Sequence, residues 1–232
     1  MTPPKGTSIL AIIPARGGSK TLPRKNLRTL LNKPLLAYAI DVAYSSACIT
    51  RTVVSTDDYE IADTAHRYGA EVVERPPELA TDESPSIATY KHVLETLKGQ
   101  GYTPDVAVIL QPTSPLRTVA DVDGAIEQYL QGGYDAVVSV CEVDHPPEWM
   151  YTLHKGRLVP LLHGAHLVTR RQESKMSYRL NGAVYVVSPR QIMEHSFLLD
   201  GDTGAYIMPQ CRSVDIDSQL DLELAALLLT AQ

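Results

Sequence analysis

The chain has 232 residues, 44% of them hydrophobic, which is enough for one large domain or a domain with an appended subdomain. Its net charge of -6 excludes a general nucleic-acid-binding protein, since such proteins carry a basic excess. Cys48, Cys141 and Cys211 are widely spaced, so we expect reduced thiols rather than a zinc site or disulfide framework. The sequence has neither a signal-peptide pattern nor an apolar run of roughly 20 residues, and we expect a cytoplasmic protein with no membrane partner.

Short aliphatic runs alternate with helical patterns along the first 143 residues. The runs SILAIIPA, RTVVSTD, EVVERP, DVAVILQP and DAVVSVCEV predict buried strands, because parallel strands covered on both faces are continuously apolar. The segments between them carry apolar residues at helical spacing. This alternation predicts an α/β fold with a mainly parallel sheet flanked by helices.

The regular alternation stops after Asp144. Residues 144–180 hold strand-like pieces and turns without a clear helix, which predicts an inserted flap within a single domain spanning residues 1–232. NGAVYVVSP then predicts a strand entered through a tight turn at Asn181-Gly182. CRSVDID predicts the last strand, and SQLDLELAALLLTAQ the closing helix.

A glycine-rich basic stretch, IIPARGGSKTLPRKN, follows the first predicted strand. Ligands of such sheets bind at the carboxyl ends of the strands, where glycines let backbone amides approach an anion. The stretch therefore predicts a polyphosphate site, although neither GxxxxGK[ST] nor GxGxxG is present and a plain turn with solvated charges is the alternative. The residues concerned are Arg16, Gly17, Gly18, Ser19, Lys20, Arg24 and Lys25.

Two carboxylates stand in VDIDSQLDLE near the carboxyl terminus. Residues two apart on a strand face the same side, so Asp215 and Asp217 would repel each other unless solvent or a cation lies between them. Magnesium prefers such oxygen ligands together with substrate phosphates. The alternative is that Asp217 or Ser218 only caps the next helix, which leaves Asp215 unexplained.

Seven motifs together resemble the acylneuraminate cytidylyltransferases, also called CMP-sialic acid synthetases. In chain order they are IIPARGGSKTLPRKN, VVSTDD, ERPPELATDESPS, LQPTSPLRT, RRQ, YRLNGAVY and VDIDSQLDLELA. The resemblance implies a Rossmann-like nucleotidyltransferase fold and a homodimer that uses the flap as a dimerisation subdomain. It also implies magnesium-dependent transfer of CMP from CTP to the C2 hydroxyl of a nine-carbon 2-keto sugar acid, with release of pyrophosphate.

The resemblance also implies roles for individual residues. Transfer needs a neutralised triphosphate, in-line positioning and a metal, which assigns catalytic roles to Arg16, Lys20, Asp215 and Asp217. A sugar carboxylate needs a cation, and Arg171 or Arg179 would supply it. The implied CTP-binding set is Arg16, Gly17, Gly18, Ser19, Lys20, Asn26, Arg75 and Ser86; the sugar-binding set is Gln111, Thr113, Ser114, Arg171, Gln172 and Arg179; and the magnesium ligands are Asp215 and Asp217.

The flap departs from the family pattern. Glu148 and Trp149 stand where some members carry a lysine, and Leu180 replaces a proline. The sugar therefore stays open among N-acetylneuraminate, legionaminate, KDN and pseudaminate. The alternatives are a KDO cytidylyltransferase, a non-catalytic nucleotide-binding relative, and a dinucleotide-dependent dehydrogenase, which the missing GxGxxG disfavours.

Overall fold

The computed structural model of the chain describes residues 3–4, 6–162 and 170–231. The strands, in chain order, are β1 (Ile9–Pro14), β2 (Thr29–Leu30), β3 (Lys33–Pro34), β4 (Arg51–Thr56), β5 (Glu71–Glu74), β6 (Val106–Ile109), β7 (Ala136–Glu142), β8 (Tyr151–His154), β9 (Arg157–Pro160), β10 (Tyr178–Val187) and β11 (Thr203–Ile207). The helices are α1 (Leu35–Ser45), α2 (Tyr59–Arg67), α3 (Ser86–Gly99), α4 (Val119–Gly132), α5 (Pro189–Glu194) and α6 (Gln219–Thr230).

A seven-stranded sheet forms the centre of the molecule, in the order β11-β7-β10-β6-β1-β4-β5. The pairs β6-β1, β1-β4, β4-β5 and β7-β11 are parallel, whereas β10 runs antiparallel to both of its neighbours. The chain therefore leaves β1 for β4 on one side and later returns to β6 on the other. The predicted mainly parallel sheet is confirmed.

Helices cover both faces of the sheet, because successive side chains of its central strands point alternately into two apolar cores. Ile9, Ala11 and Ile13 of β1 pack in one core with residues of α1, α2 and α4. Leu10 and Ile12 pack in the other with residues of α3 and α5. A third cluster joins α6 to the loop after β1.

The predicted last strand is wrong. Gln210–Arg212 is a 3-10 helix, residues 213–217 are extended without strand pairing, and the edge of the sheet is β11 instead. The segment is held by one ladder-like bond, from the Ile216 amide to the Thr113 carbonyl at 2.8 Å. Its alternating pattern reflects Val214 and Ile216, which both pack in the third cluster, while Asp215 and Asp217 between and after them are exposed.

The predicted tight turn at Asn181-Gly182 is also wrong. Both residues lie inside β10, in a wide bulge where residues 181–184 oppose Ser139 alone on β7. Gly182 has a φ of +70°, which explains the glycine without a turn.

The flap contains a two-stranded hairpin, β8-β9, that belongs to neither core. All eight residues of its strands are exposed. From the flap the chain enters β10. Its first residues, 178–180, pair only with β7 and extend beyond the carboxyl end of β6. Within the described part of the chain, no helix combines the length and apolarity needed to cross a membrane.

Candidate active site

A cavity of about 390 Å³ opens at the carboxyl ends of β1, β5 and β6. It is lined by the glycine-rich loop, the segment that leads into α3, the strand end 111–113 and both Asp215 and Asp217. The cavity lies at the carboxyl end of β1. The chain continues from β1 to β4 on one side of it and later to β6 on the other side. Ligands of open α/β sheets bind at such a switch point.

The glycine pair serves two purposes. The Gly17 amide donates to Asp57 at 3.0 Å, and a Cβ on Gly17 would lie 2.7 Å from a carboxylate oxygen of Asp58. Gly17 therefore allows close packing against the start of α2. Gly18 and Ser19 line the cavity, and a Cβ on Gly18 would meet nothing within 4 Å.

Basic side chains of the loop contact carboxylates around the cavity. Arg16 and Lys20 both bind Asp82, at 2.7 and 2.8 Å, and these hydrogen bonds, from Lys20 and then Arg16, lower the pKa of Asp82. Lys25 binds Asp217 at 2.7 Å. Arg24, by contrast, pairs with Asp58 and Glu60 away from the cavity. The cations at the cavity thus bind carboxylate oxygens, and charge-assisted hydrogen bonds of the same kind hold phosphate oxygens.

The nucleotide-binding candidates lie along one wall. Asn26 is buried and donates to the Arg16 carbonyl at 2.9 Å. Arg75 is buried, donates to the Ser55 carbonyl at 2.8 Å, and has its pKa lowered by that burial. Ser86 is the first residue of α3, so the positive end of this helix faces the cavity. One turn later Tyr90 forms part of the floor, and burial raises its pKa to about 12.

The strand end after β6 forms the opposite wall. Gln111 and Thr113 line the cavity, whereas Ser114 is buried behind them and donates to the Asn181 carbonyl at 3.1 Å. Arg117 is also buried and donates to the Gln111 and Ala183 carbonyls. Burial lowers the pKa of Arg117 to about 9. The wall offers uncharged hydrogen-bonding groups on a firmly held backbone.

Asp215 and Asp217 face the cavity from the extended segment before α6. Ile216 between them is fully buried, which turns both neighbours to the cavity side. Asp215 is exposed to water, yet the protein atoms packed around its carboxyl group raise the pKa of Asp215. A hydrogen bond from Thr113 lowers this pKa, and the nearby charge of Asp217 raises it further. A cation between the two carboxylates would remove that repulsion.

This pair fits a magnesium ion that takes further ligands from substrate. Magnesium is commonly held by one or two carboxylates, with phosphate oxygens and water completing the octahedron. Among residues 6–162 and 170–231, no group of three or more His, Cys, Asp or Glu side chains is arranged to hold a metal. Ser218 caps the helix α6, so the Asp217 side chain is not used as a cap and instead contacts Lys25 at the cavity.

Several predicted site residues lie outside the cavity lining. Gly17 and Lys20 belong to the glycine-rich loop but do not line the cavity, and Ser114 is fully buried. Arg179 donates to the Ser213 carbonyl at 3.2 Å, and Gln172 is exposed on the flap. The Arg171 side chain lies outside the described residues.

Sequence reasoning missed Asp82 and Tyr90. Asp82 falls in a loop between β5 and α3, and its spacing from the basic loop carries no local signal. Tyr90 could have been found, because it stands four residues after Ser86 and so shares its helix face.

The comparison with protein families agrees with this geometry. Residues 10–190 match the family model described as cytidylyltransferase. The chain belongs to the cytidylyltransferase family. This cytidylyltransferase is therefore a CTP-dependent nucleotidyltransferase, as the sequence motifs predicted.

Similar proteins of known name cover nearly the whole chain. A CMP-N,N'-diacetyllegionaminic acid synthase of Legionella pneumophila is 38% identical over 95% of this chain and 96% of its own length. A pseudaminic acid cytidylyltransferase of Campylobacter jejuni is 32% identical over 94% and 95%. An N-acylneuraminate cytidylyltransferase of Escherichia coli is 35% identical over 94% of this chain, which spans only 51% of that longer protein.

Two solved structures share the fold. A CMP:2-keto-3-deoxy-manno-octonic acid synthetase complexed with CTP has a TM-score of 0.73 at 15% identity, covering 97% of this chain and 99% of that one. A 4-diphosphocytidyl-2C-methyl-D-erythritol synthase has a TM-score of 0.70 at 11% identity, covering 96% and 99%. These likenesses confirm the predicted nucleotidyltransferase fold.

Proposed function

We propose that this cytidylyltransferase transfers CMP from CTP to the C2 hydroxyl of a nine-carbon 2-keto sugar acid. The observation that carries the proposal is one cavity that joins a basic glycine-rich loop, a paired carboxylate and an uncharged polar wall. The C2 oxygen forms a bond to the α-phosphorus, the bond to the β-phosphate breaks, and pyrophosphate leaves with its electron pair. The hydroxyl proton passes to solvent.

The basic loop would hold the triphosphate. Arg16 and Lys20 already grip a carboxylate at the cavity, and the amides and hydroxyl of Gly18 and Ser19 face the same space. Charged donors on a leaving pyrophosphate stabilise the charge that develops there. Asn26, Arg75 and Ser86 on the adjoining wall would hold the nucleoside.

Asp215 and Asp217 would hold magnesium, since both face the cavity and their mutual repulsion calls for a cation. A magnesium ion bound there would neutralise charge on the phosphate being transferred. Lys25, bonded to Asp217, ties this pair to the triphosphate loop.

Gln111 and Thr113 would position the sugar through hydrogen bonds from a rigid strand end. We assign Arg179 as the cation that binds the sugar carboxylate. Arg171, whose side chain lies outside the described residues, is the alternative. Glu148 does not line the cavity; it accepts from Ser174 at 2.7 Å within the flap. Glu148, the acidic residue that departs from the family pattern, therefore does not repel a sugar carboxylate bound in the cavity.

The relatives favour a nonulosonate over KDO. Similar proteins at 32–38% identity are named for legionaminic, pseudaminic and neuraminic acids. The KDO-type neighbour shares the fold at 15% identity. The C2 hydroxyl beside a carboxylate is common to these sugars, so the reaction is the same whichever nonulosonate is used.

A homodimer would cover the flap. Leu153 and Leu158 are paired across β8 and β9 and are 73% and 69% exposed. An isolated two-stranded hairpin is marginally stable in water, and apolar surface on it indicates a protein interface. A second copy of this chain is the partner we propose.

Pyrophosphate release tests the proposed reaction. The purified protein would be incubated with magnesium, CTP and, in turn, N-acetylneuraminate, N,N'-diacetyllegionaminate, KDN, pseudaminate and KDO, with ATP, GTP and UTP as controls. We expect release with CTP and a nine-carbon acid. Release with KDO alone, or silence with every nine-carbon acid while CTP still binds, would contradict the proposal.

A further inference from the structure

The bulge in β10 is built around Asn181, a buried side chain that does not line the cavity and is only 1% exposed. Its Oδ1 accepts from the Ser139 hydroxyl at 2.6 Å and from the Ala183 amide at 3.2 Å. Ser139 in turn accepts from the Val184 amide at 2.7 Å. These bonds replace the missing strand ladder and fix the shape of the bulge.

The same residue reaches the segment that carries Asp215. Its Nδ2 donates to the Ser213 hydroxyl at 2.9 Å, and Ser213 is fully buried. The Ser213 hydroxyl donates onward to the Pro209 carbonyl at 2.9 Å. The segment is thus anchored two residues before Asp215 by Asn181, and one residue after it by the bond from Ile216 to Thr113.

Asn181 also contacts the sugar-facing wall. Its carbonyl accepts from Ser114, while Arg117 ties the Ala183 carbonyl of the bulge to the Gln111 carbonyl. Gly182 packs so closely that an added Cβ would lie 2.6 Å from the Gln111 Oε1. The bulge therefore lies directly behind the Gln111 side chain.

We propose that Asn181 is a positioning residue that sets the distance between the sugar-facing wall at Gln111 and the metal-facing carboxylate of Asp215. It rests on the proposed cytidylyl transfer, because those two walls would carry the attacking hydroxyl and the phosphate. In-line attack depends steeply on this distance, and a misplacement of about 1 Å can cost roughly 100-fold in rate. Asn181 contacts neither substrate and acts through Ser213 and Ser114.

The test uses Ser213→Ala, which removes the acceptor of Asn181 and only one oxygen atom from the core. Thr52→Val is the matched control, since the buried Thr52 hydroxyl has no hydrogen-bond partner within the described structure. We expect Ser213→Ala to lower kcat roughly tenfold or more with little change in KM for CTP. We also expect weaker calorimetric binding of magnesium with CTP in the absence of sugar.

A double-mutant cycle ties the effect to Asn181. In an Asn181→Ala background, Ser213→Ala should cost little more in kcat, because both changes break the same bond. The proposal is overturned if Ser213→Ala matches Thr52→Val in kcat and magnesium–CTP binding, or if it lowers only the melting temperature. A wild-type protein that releases no pyrophosphate with any of the sugars would refute the proposed function instead. The calorimetric titration of magnesium and CTP would still decide the role of Asn181.

Discussion

Lys25 and Asp217 form an ion pair across the mouth of the cavity, with Nζ 2.7 Å from the carboxylate. The pair joins the glycine-rich loop to the segment that carries both carboxylates, 192 residues later in the chain. Because the Asp217 side chain is largely exposed, the fold does not depend on it.

We expect Asp217→Asn to remove most of the turnover while leaving the fold intact. The loss of a negative ligand would weaken magnesium binding, and a bound metal supplies several kcal/mol of charge stabilisation, so kcat should fall roughly 100-fold or more. Steady-state kinetics and a melting curve measure the two effects. Glu223→Gln, which removes an acidic group of α6 that does not line the cavity, is the control and should keep full activity. An active Asp217→Asn enzyme would remove the metal assignment.

Asp82 forms ion pairs with Arg16 and Lys20, the two cations that we assign to the triphosphate of CTP. Since Arg16 and Lys20 must leave Asp82 to bind CTP, we expect Asp82→Asn to lower the KM for CTP by roughly two- to fivefold, the range of an exposed ion pair. Glu83→Gln, in the same loop, should leave KM unchanged. A higher KM in Asp82→Asn would show that Asp82 helps to hold CTP rather than competing with it.

The Asp121–Arg212 pair makes stability depend on pH. Burial alone would raise the pKa of Asp121, but hydrogen bonds from Arg212 and Thr118 outweigh it and hold the pKa below its ordinary value. A lowered folded-state pKa stabilises the fold above the ordinary range near pH 4, and this stability is lost as the pH falls through the folded value.

We therefore expect Asp121→Asn to cost about 2 kcal/mol at pH 7 and less as the pH drops below about 4. Chemical denaturation across this range measures the difference. Asp63→Asn, which breaks the exposed pair with Arg67, should cost far less at every pH. A constant difference between the wild type and Asp121→Asn from pH 7 to pH 3 would contradict the assigned cause.

The leucine pair of the hairpin should hold the dimer. We expect Leu153→Lys with Leu158→Lys to convert a dimer into a monomer in sedimentation velocity, because two charges would be buried in the interface. His154→Lys, on the opposite face of the same hairpin, is the control. A wild-type protein that sediments as a monomer at micromolar concentration would contradict the interface itself.

The sheet could be predicted because its central strands are buried on both faces and read as aliphatic runs. β11 was missed, since it is a short edge strand in which Gly204 is buried while Ala205 and Ile207 are exposed. The pattern of residues 211–217 predicts a strand because Val214 and Ile216, which share one side, both pack in the third cluster. Both errors concern hydrogen-bond partners, which a local pattern does not specify.

The cavity residues were predicted better than their contacts. The motifs identified Arg16, Asn26, Arg75, Gln111 and the two aspartates, and the structure brings all of them to one cavity. The Asp82 ion pairs and the bonds of Asn181 depend on segments far apart in the sequence. The Asn-Gly pair looks like a hairpin turn locally, and only the opposing Ser139 shows that it is a bulge.

³¹P NMR of the complete reaction shows which phosphate bond of CTP breaks. With CTP, magnesium and the nine-carbon acid selected by the pyrophosphate assay, we expect one new phosphodiester signal and pyrophosphate in equal amounts. The appearance of CDP with a phosphorylated sugar, or of free CMP with pyrophosphate and no sugar adduct, would contradict transfer of CMP to the sugar.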